Sequence, residues 1–182
     1  MLSVTTKTGD LGESGLANGK RASKADPVFE VVGSLDELNS WIGLVVTQLD
    51  PDFSIQQQFL YTVQSTLFDI GAEVAMSPKT KLGNQALEEL ETKADELQRT
   101  MQDHWHTKFL LPGGTESAAM IDITRTVCRR CERVLVQYSQ HQALSPLIVK
   151  YLNRLSDYLY ILRCHVNAKA LYNEKEFEVA SK

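Results

Sequence analysis

Disulfide frameworks, metal clusters and membrane spans all leave marks that this chain of 182 residues lacks. It has only three cysteines, Cys128, Cys131 and Cys164, an odd number scattered through helical patterns. That is poor material for a secreted disulfide scaffold and fits the reducing cytoplasm. No apolar run is long enough to span a bilayer, and the first thirty residues carry no signal-peptide core. The formal net charge of -4 lacks the positive excess that nucleic acids or anionic membranes demand, so any anion site must be local. There is no Glu-x-x-His pair for a di-iron centre. His104, His106, His141 and His165 share no helix with metal-ligand spacing, and Cys128-x-x-Cys131 has no second pair. No serine or cysteine sits in a nucleophile elbow beside a base, and no paired carboxylates stand out. With 43% hydrophobic residues and nothing resembling a linker, the chain is expected to form one domain over 1–182.

The stretch Phe109 to Arg133, FLLPGGTESAAMIDITRTVCRRCER, is an apolar Pro-Gly-Gly loop feeding a helix with Thr115 as expected N-cap. Arg125, Arg129 and Arg133 recur every four residues beside Arg130, with Asp122 and Glu132 on the same stripe. The opposite arc, Ile121, Ile123, Val127, Cys128, Cys131, Val134 and Leu135, suits the inside of a helical bundle. By itself the charged stripe reads as a solvated face laced with ion pairs such as Asp122 to Arg125 and Arg129 to Glu132.

Elsewhere the apolar period marks four more helices. One covers about Leu35–Leu49, opened by the capping-box spacing of Ser34 and Glu37. A second runs from a Ser54 cap to Met76, and a third carries Leu87, Leu90, Ala94, Leu97 and Met101. The last runs from about Leu147 to Tyr172, with Leu152, Leu155, Leu159 and Leu162 inward. On it Asn153, Ser156, Asp157 and Tyr160 form a polar stripe that reads as a buried hydrogen-bond network. The expected fold is all-α, a five-helix bundle over 27–172, with a C-terminal tail at 173–182 whose last residues, FEVASK, are expected to fray.

Residues 1–26 follow neither a helix nor a strand period. Thr5 to Asp26 combines glycines at 9, 12, 15 and 19 with hydroxyls at 5, 6, 8, 14 and 23 and cations at 7, 20, 21 and 24. Glycine amides, hydroxyls and lysines are the composition of a phosphate cradle, although a Gly-rich N-terminus is also a common mobile tail. It is not a Walker loop: Gly15 to Lys20 is one residue short, and no apolar strand precedes it. Cations, glycine amides, hydroxyls and a loop aromatic together describe a polyphosphate site.

Three segments, TKTGDLGESGL with Lys24, GSLDELNSWIG, and FLLPGG followed by TRTVCRRCER and LNRLSD, occur in an order and spacing that resembles the PduO-type ATP:cob(I)alamin adenosyltransferases. The resemblance covers essentially the whole chain. It implies a ferritin-like, cobalamin adenosyltransferase-like bundle assembled as a homotrimer, with active sites between subunits. It implies that cob(I)alamin or a related corrinoid attacks the 5′ carbon of ATP, that adenosylcobalamin forms and that triphosphate leaves. By the same resemblance Thr6, Lys7, Thr8, Gly9, Ser14 and Lys24 would wrap the triphosphate, and Mg²⁺ would be held mainly by the phosphates. Arg129, Arg130, Glu132, Arg133 and Asn153 would complete the nucleotide contacts. Asp36 would pair with Arg129 across the interface. Phe109 would crowd the lower corrin face, removing an axial ligand so that Co(II) is easier to reduce. A reductase and adenosylcobalamin-dependent enzymes are the implied partners. Gly15 departs from the Ser or Thr usual in the family, and Thr124 and Cys131 replace common alanines. The alternative class is an idle ATP- or cobalamin-binding bundle that carries or senses the cofactor.

Overall fold

The computed structural model describes residues 5–101, 105 and 107–178. His104 and His106 lie outside the described residues, as do 179–182 of the expected tail. Five α-helices carry the fold: α1 (Pro27–Gln48), α2 (Ser54–Val74), α3 (Asn84–Gln98), α4 (Glu116–Ser139) and α5 (Pro146–Lys169). Helix α1 packs on α2 and α4, and α5 packs on α4 and α3. Helix α5 supplies the middle of the core, with Tyr151, Leu155, Tyr158, Leu159 and Leu162 buried against the other helices.

Helix α1 starts at Pro27, eight residues before the Leu35 that the capping box suggested. Asp26 caps it by accepting a hydrogen bond from Val28 N at 3.1 Å, and Pro27 occupies the first turn. This start is stronger because the proline amide needs no partner and its φ is already helical. Gly33 then rides inside the helix with open space around it, at a propensity cost of about 0.5–1 kcal/mol relative to alanine. Ser54 is a helical residue rather than a cap: Asp50 opens a 3-10 turn, Pro51–Phe53, that leads into α2. That helix ends in a Schellman arrangement. Ser77 N donates to Ala72 O, Met76 N donates to Glu73 O, and Met76 takes the left-handed φ of 67° usually left to glycine. Thr115 caps α4 as expected, accepting from Ala118 N at 3.2 Å. Ser145 and Pro146 open α5, which closes at Lys169, short of Tyr172.

Two regions differ from the sequence reading. Within the N-terminal segment, strands β1 (Glu13–Gly15) and β2 (Arg21–Ser23) pair antiparallel, opposing Ser14 to Ala22. Three-residue strands are too short to register as a period. The hairpin docks on the end of α2, where Ala17 N donates to Ala75 O at 2.9 Å. At the other terminus, residues 175–177 are bonded to the loop before α4, among them Phe177 of the end expected to fray. Leu110 bridges Glu176, Phe177 N donates to Phe109 O at 2.7 Å, and Leu111 N donates to Lys175 O at 2.8 Å. The loop before α4 and the segment after α5 therefore complete each other's backbone hydrogen bonding.

Candidate active site

Around the hairpin, one loop gathers the residues suited to phosphate. Lys7 has φ 58° and Gly12 φ 81°, and Gly12 N donates to Gly9 O at 3.2 Å, so the chain turns tightly through 7–12. Thr6 and Thr8 share a hydrogen bond between hydroxyls at 3.0 Å. Arg21 fastens the loop from β2, donating to Thr8 O at 2.6 Å and to Glu13 Oε2 at 3.1 Å. Lys24 N donates to Gly12 O, and its ammonium lies over Gly9, where a Cβ would come within 3.1 Å of Nζ. Thr6, Lys7, Thr8, Gly9, Ser14 and Lys24 are thus brought into one unit. All except Gly9 and Ser14 are exposed. Tightly turned backbone with glycine amides and lysine ammonium groups is suited to phosphate oxygens.

On α4 the arginine stripe divides. Arg129, Arg130 and Arg133 are exposed. Arg130 pairs with Glu37 of α1, and Arg133 donates to Arg129 O at 3.1 Å. Glu132 accepts from Asn153 Nδ2 at 3.1 Å, which ties α4 to α5. Asp36 is also exposed, and among the described residues neither it nor Arg129 forms an ion pair within the chain. Arg125 turns instead toward α5. It pairs with Asp122 Oδ1 at 3.1 Å, as its spacing suggested, and its guanidinium stands 5.9 Å from the centre of the Tyr160 ring. Asp122 is buried, not part of the solvated stripe, and Ile123 is exposed, not part of the apolar arc. Thr124 and Asp122 take the inward positions between Ile121 and Val127 because both find partners there. The polar stripe on α5 also resolves differently. Ser156 is buried and bonds back to Asn153 O, but Asp157 is exposed, so the four residues form no closed network.

Phe109 is 84% exposed, whereas a loop aromatic of ordinary packing would be in the core. The loop beneath it is tightly held. Arg163 of α5 is the largest fully buried side chain, and the sequence reading passed over it. Its Nε donates to Asp122 Oδ2 at 3.0 Å and its Nη1 to Glu174 Oε1 at 2.8 Å. Its Nη2 reaches Leu111 O at 2.8 Å and Gly113 O at 3.2 Å. Burial opposes this charge, but the hydrogen bond with Cys164 and the carboxylates of Asp122 and Glu174 raise its pKa above the ordinary arginine value. Asn167, fully buried, donates to Gly113 O at 3.0 Å and accepts from Thr115 N at 3.0 Å. One signal for Arg163 was available: a lone cation inside the apolar run Tyr158 to Val166 needs buried partners.

The cysteines are buried and free. Burial pushes the Cys131 thiol up to about 12 and holds Cys128 well above its ordinary value, so neither is poised as a nucleophile. Among the described residues, no group of three or more His, Cys, Asp or Glu could hold a metal ion. A divalent cation here would take its ligands mainly from bound phosphates. A cavity of about 660 Å³ lies elsewhere, between α2, α3 and α5 beside Phe53, Leu97 and His165. Neither the arginines of α4 nor Phe109 lines that cavity.

A five-helix bundle with a glycine- and lysine-rich hairpin, an arginine face and an exposed aromatic on a fixed loop offers cations suited to phosphate and an apolar ring open to a ligand. Residues 4–166 match the cobalamin adenosyltransferase family, and the chain belongs to it. It is 37% identical to the corrinoid adenosyltransferase of Bacillus subtilis over 182 residues, 97% of this chain and 93% of that one. It is 34% identical to the human corrinoid adenosyltransferase over 180 residues, covering 94% of this chain and 72% of that one. Among solved structures, it resembles a variant of the PduO-type ATP:corrinoid adenosyltransferase of Lactobacillus reuteri complexed with cobalamin and ATP. That likeness has a TM-score of 0.89, with 28% identity over 96% of each chain.

Proposed function

We propose that this chain transfers the 5′-deoxyadenosyl group of ATP to the cobalt of cob(I)alamin or a related corrinoid, releasing triphosphate. The observation that carries the reading is Phe109, held 84% exposed on a loop whose backbone is bonded to Arg163, Asn167 and the C-terminal segment. Exposing a phenylalanine forgoes roughly 1.5–3 kcal/mol of burial, which an apolar ligand packed on the ring would restore.

The chemistry asks little of the protein in acid or base. The cobalt electron pair forms the cobalt–carbon bond at C5′ while the C5′–oxygen bond breaks and its pair leaves with triphosphate. No proton moves, in keeping with a site that offers no activated base. The protein's part is orientation and charge stabilisation. Thr6, Lys7, Thr8, Gly9, Ser14 and Lys24 wrap the triphosphate, and Mg²⁺ arrives on the phosphates. Arg129, Arg130 and Arg133 face phosphate and nucleoside, with Glu132 and Asn153 fixing their side of the pocket. The hairpin and the arginine face are held by different parts of the chain, the hairpin on α2 and the arginines on α1 and α4. A homotrimer in which the hairpin of one subunit meets α4 of another brings them together, with Asp36 pairing Arg129 across that interface. Phe109 excludes the lower axial ligand from Co(II), easing its reduction by a partner reductase. The product serves adenosylcobalamin-dependent enzymes, and the buried free thiols suit the cytoplasm.

Two variants test this assignment. Arg133→Ala is expected to raise KM for ATP or abolish turnover while the circular dichroism spectrum stays that of the parent. Phe109→Ala is expected to slow transfer when the corrinoid starts as Co(II) and much less when it starts as Co(I). Parental kinetics in both would remove these residues from the site.

A further inference from the structure

The role given to Phe109 leaves open how an exposed aromatic keeps its position on an irregular loop. Residues 109–114 lie outside any helix, and two left-handed glycines, Gly113 and Gly114, break any regular pattern. Their carbonyls need partners from elsewhere. The structure supplies those partners chiefly from one buried guanidinium. Arg163 uses Nε, Nη1 and Nη2 at once, toward Asp122 of α4, Glu174 of the C-terminal segment, and the carbonyls of Leu111 and Gly113. Glu174 Oε1 also accepts from Asn167 Nδ2 at 3.0 Å, and Asn167 holds Gly113 O from the other side. The charges alternate along Arg125, Asp122, Arg163 and Glu174, so the buried Asp122–Arg163 pair is flanked by a half-buried charge on each side.

We infer that Arg163 is a positioning residue for adenosyl transfer, fixing the Phe109 loop to the C-terminal segment so that ring and segment keep one relative geometry. An apolar side chain at this place would fill the same space at a lower desolvation cost. Only a planar fork can satisfy two loop carbonyls and two carboxylates together, and a lysine ammonium cannot span them. Residues 174–177 then belong to the active-site architecture, because Phe177 N and Lys175 O complete the hydrogen bonds of Phe109 and Leu111.

This inference rests on the proposed role of Phe109, and the test separates the two. Arg163→Lys and the milder Glu174→Ala are compared with Phe109→Ala and with the Glu174→Ala/Phe109→Ala double variant in the full-length enzyme. The readouts are amide hydrogen exchange of residues 109–113 and single-turnover transfer from Co(II) with a fixed reductant. Both Arg163→Lys and Glu174→Ala are expected to speed exchange in the loop but not in the α4 interior. Transfer from Co(II) should fall roughly tenfold to a hundredfold, with KM for ATP within about twofold of the parent. The double variant should be no slower than Phe109→Ala alone, since the Glu174 effect passes through the ring. Unchanged loop exchange, or a double variant that multiplies the two losses, would overturn the inference. A Phe109→Ala enzyme as fast as the parent from Co(II) would overturn the Phe109 reading and this inference with it. A slow Phe109→Ala enzyme beside an unperturbed Glu174→Ala enzyme would overturn the inference alone.

Discussion

Gly113 and Gly114 are neighbours with similar backbones, φ 131° and 115°, yet alanine at each meets different surroundings. A Cβ at Gly113 enters open space, so Gly113→Ala carries only the conformational strain of a left-handed alanine, about 1–3 kcal/mol. A Cβ at Gly114 overlaps the carboxamide of Asn167. Asn167 is fully buried and cannot step aside without releasing Thr115 N, Thr115 Oγ1, Gly113 O and Glu174 Oε1. Stranding such a group adds about 1–3 kcal/mol to the same strain. Gly114→Ala should therefore be the less stable variant by about 1–3 kcal/mol, or roughly 2–12 °C in Tm for a chain of this size. Calorimetric scans of the two variants side by side measure that gap and cancel the shared strain. A Gly114→Ala protein that melts with or above Gly113→Ala would refute the packing of Asn167 against the loop.

Two further outcomes follow from burial. His165 is buried, accepts or donates at Nδ1 to Thr100 Oγ1 at 3.0 Å and meets the Phe53 ring edge-on, and burial, with a smaller effect of Lys169, lowers its pKa. Below about 6.5 the unfolded chain takes up a proton that the folded chain refuses. Stability should thus fall as pH drops from about 6.5 toward the lowered value, and His165→Gln should flatten that slope in thermal melts; an unchanged slope would assign it to other groups. Ellman's reagent should find none of the three buried cysteines in the native protein and all three in denaturant, with rapid native labelling as the contrary result.

The helices were legible because their apolar residues repeat at 3 to 4 residues and because Thr115 and Ser145-Pro146 are strong start signals. The start of α1 was misplaced because two caps compete, and Asp26-Pro27 prevails over Ser34 by adding a preset proline φ to a side-chain bond. Short-range pattern could not reveal the hairpin, whose strands have three residues each, or the pairing of 110 with 176, which joins segments far apart in sequence. On α4, helical spacing placed Asp122 with the arginines, but a spacing rule cannot tell which acid will find a buried cation. Arg163, 41 positions away, made that choice. The exposed triad Arg129, Arg130 and Arg133 and the exposed Phe109 stand where a ligand can reach them. Their roles rested on resemblance, because charge spacing on a helix reads equally well as solvation.

Anaerobic turnover of the purified protein with ATP, Mg²⁺ and chemically reduced cob(I)alamin tests the central claim most directly, followed by absorbance with product analysis. The account predicts adenosylcobalamin and triphosphate in equal amounts. Binding of ATP and cobalamin without formation of either product would contradict it and leave a bundle that carries the cofactor instead of completing it.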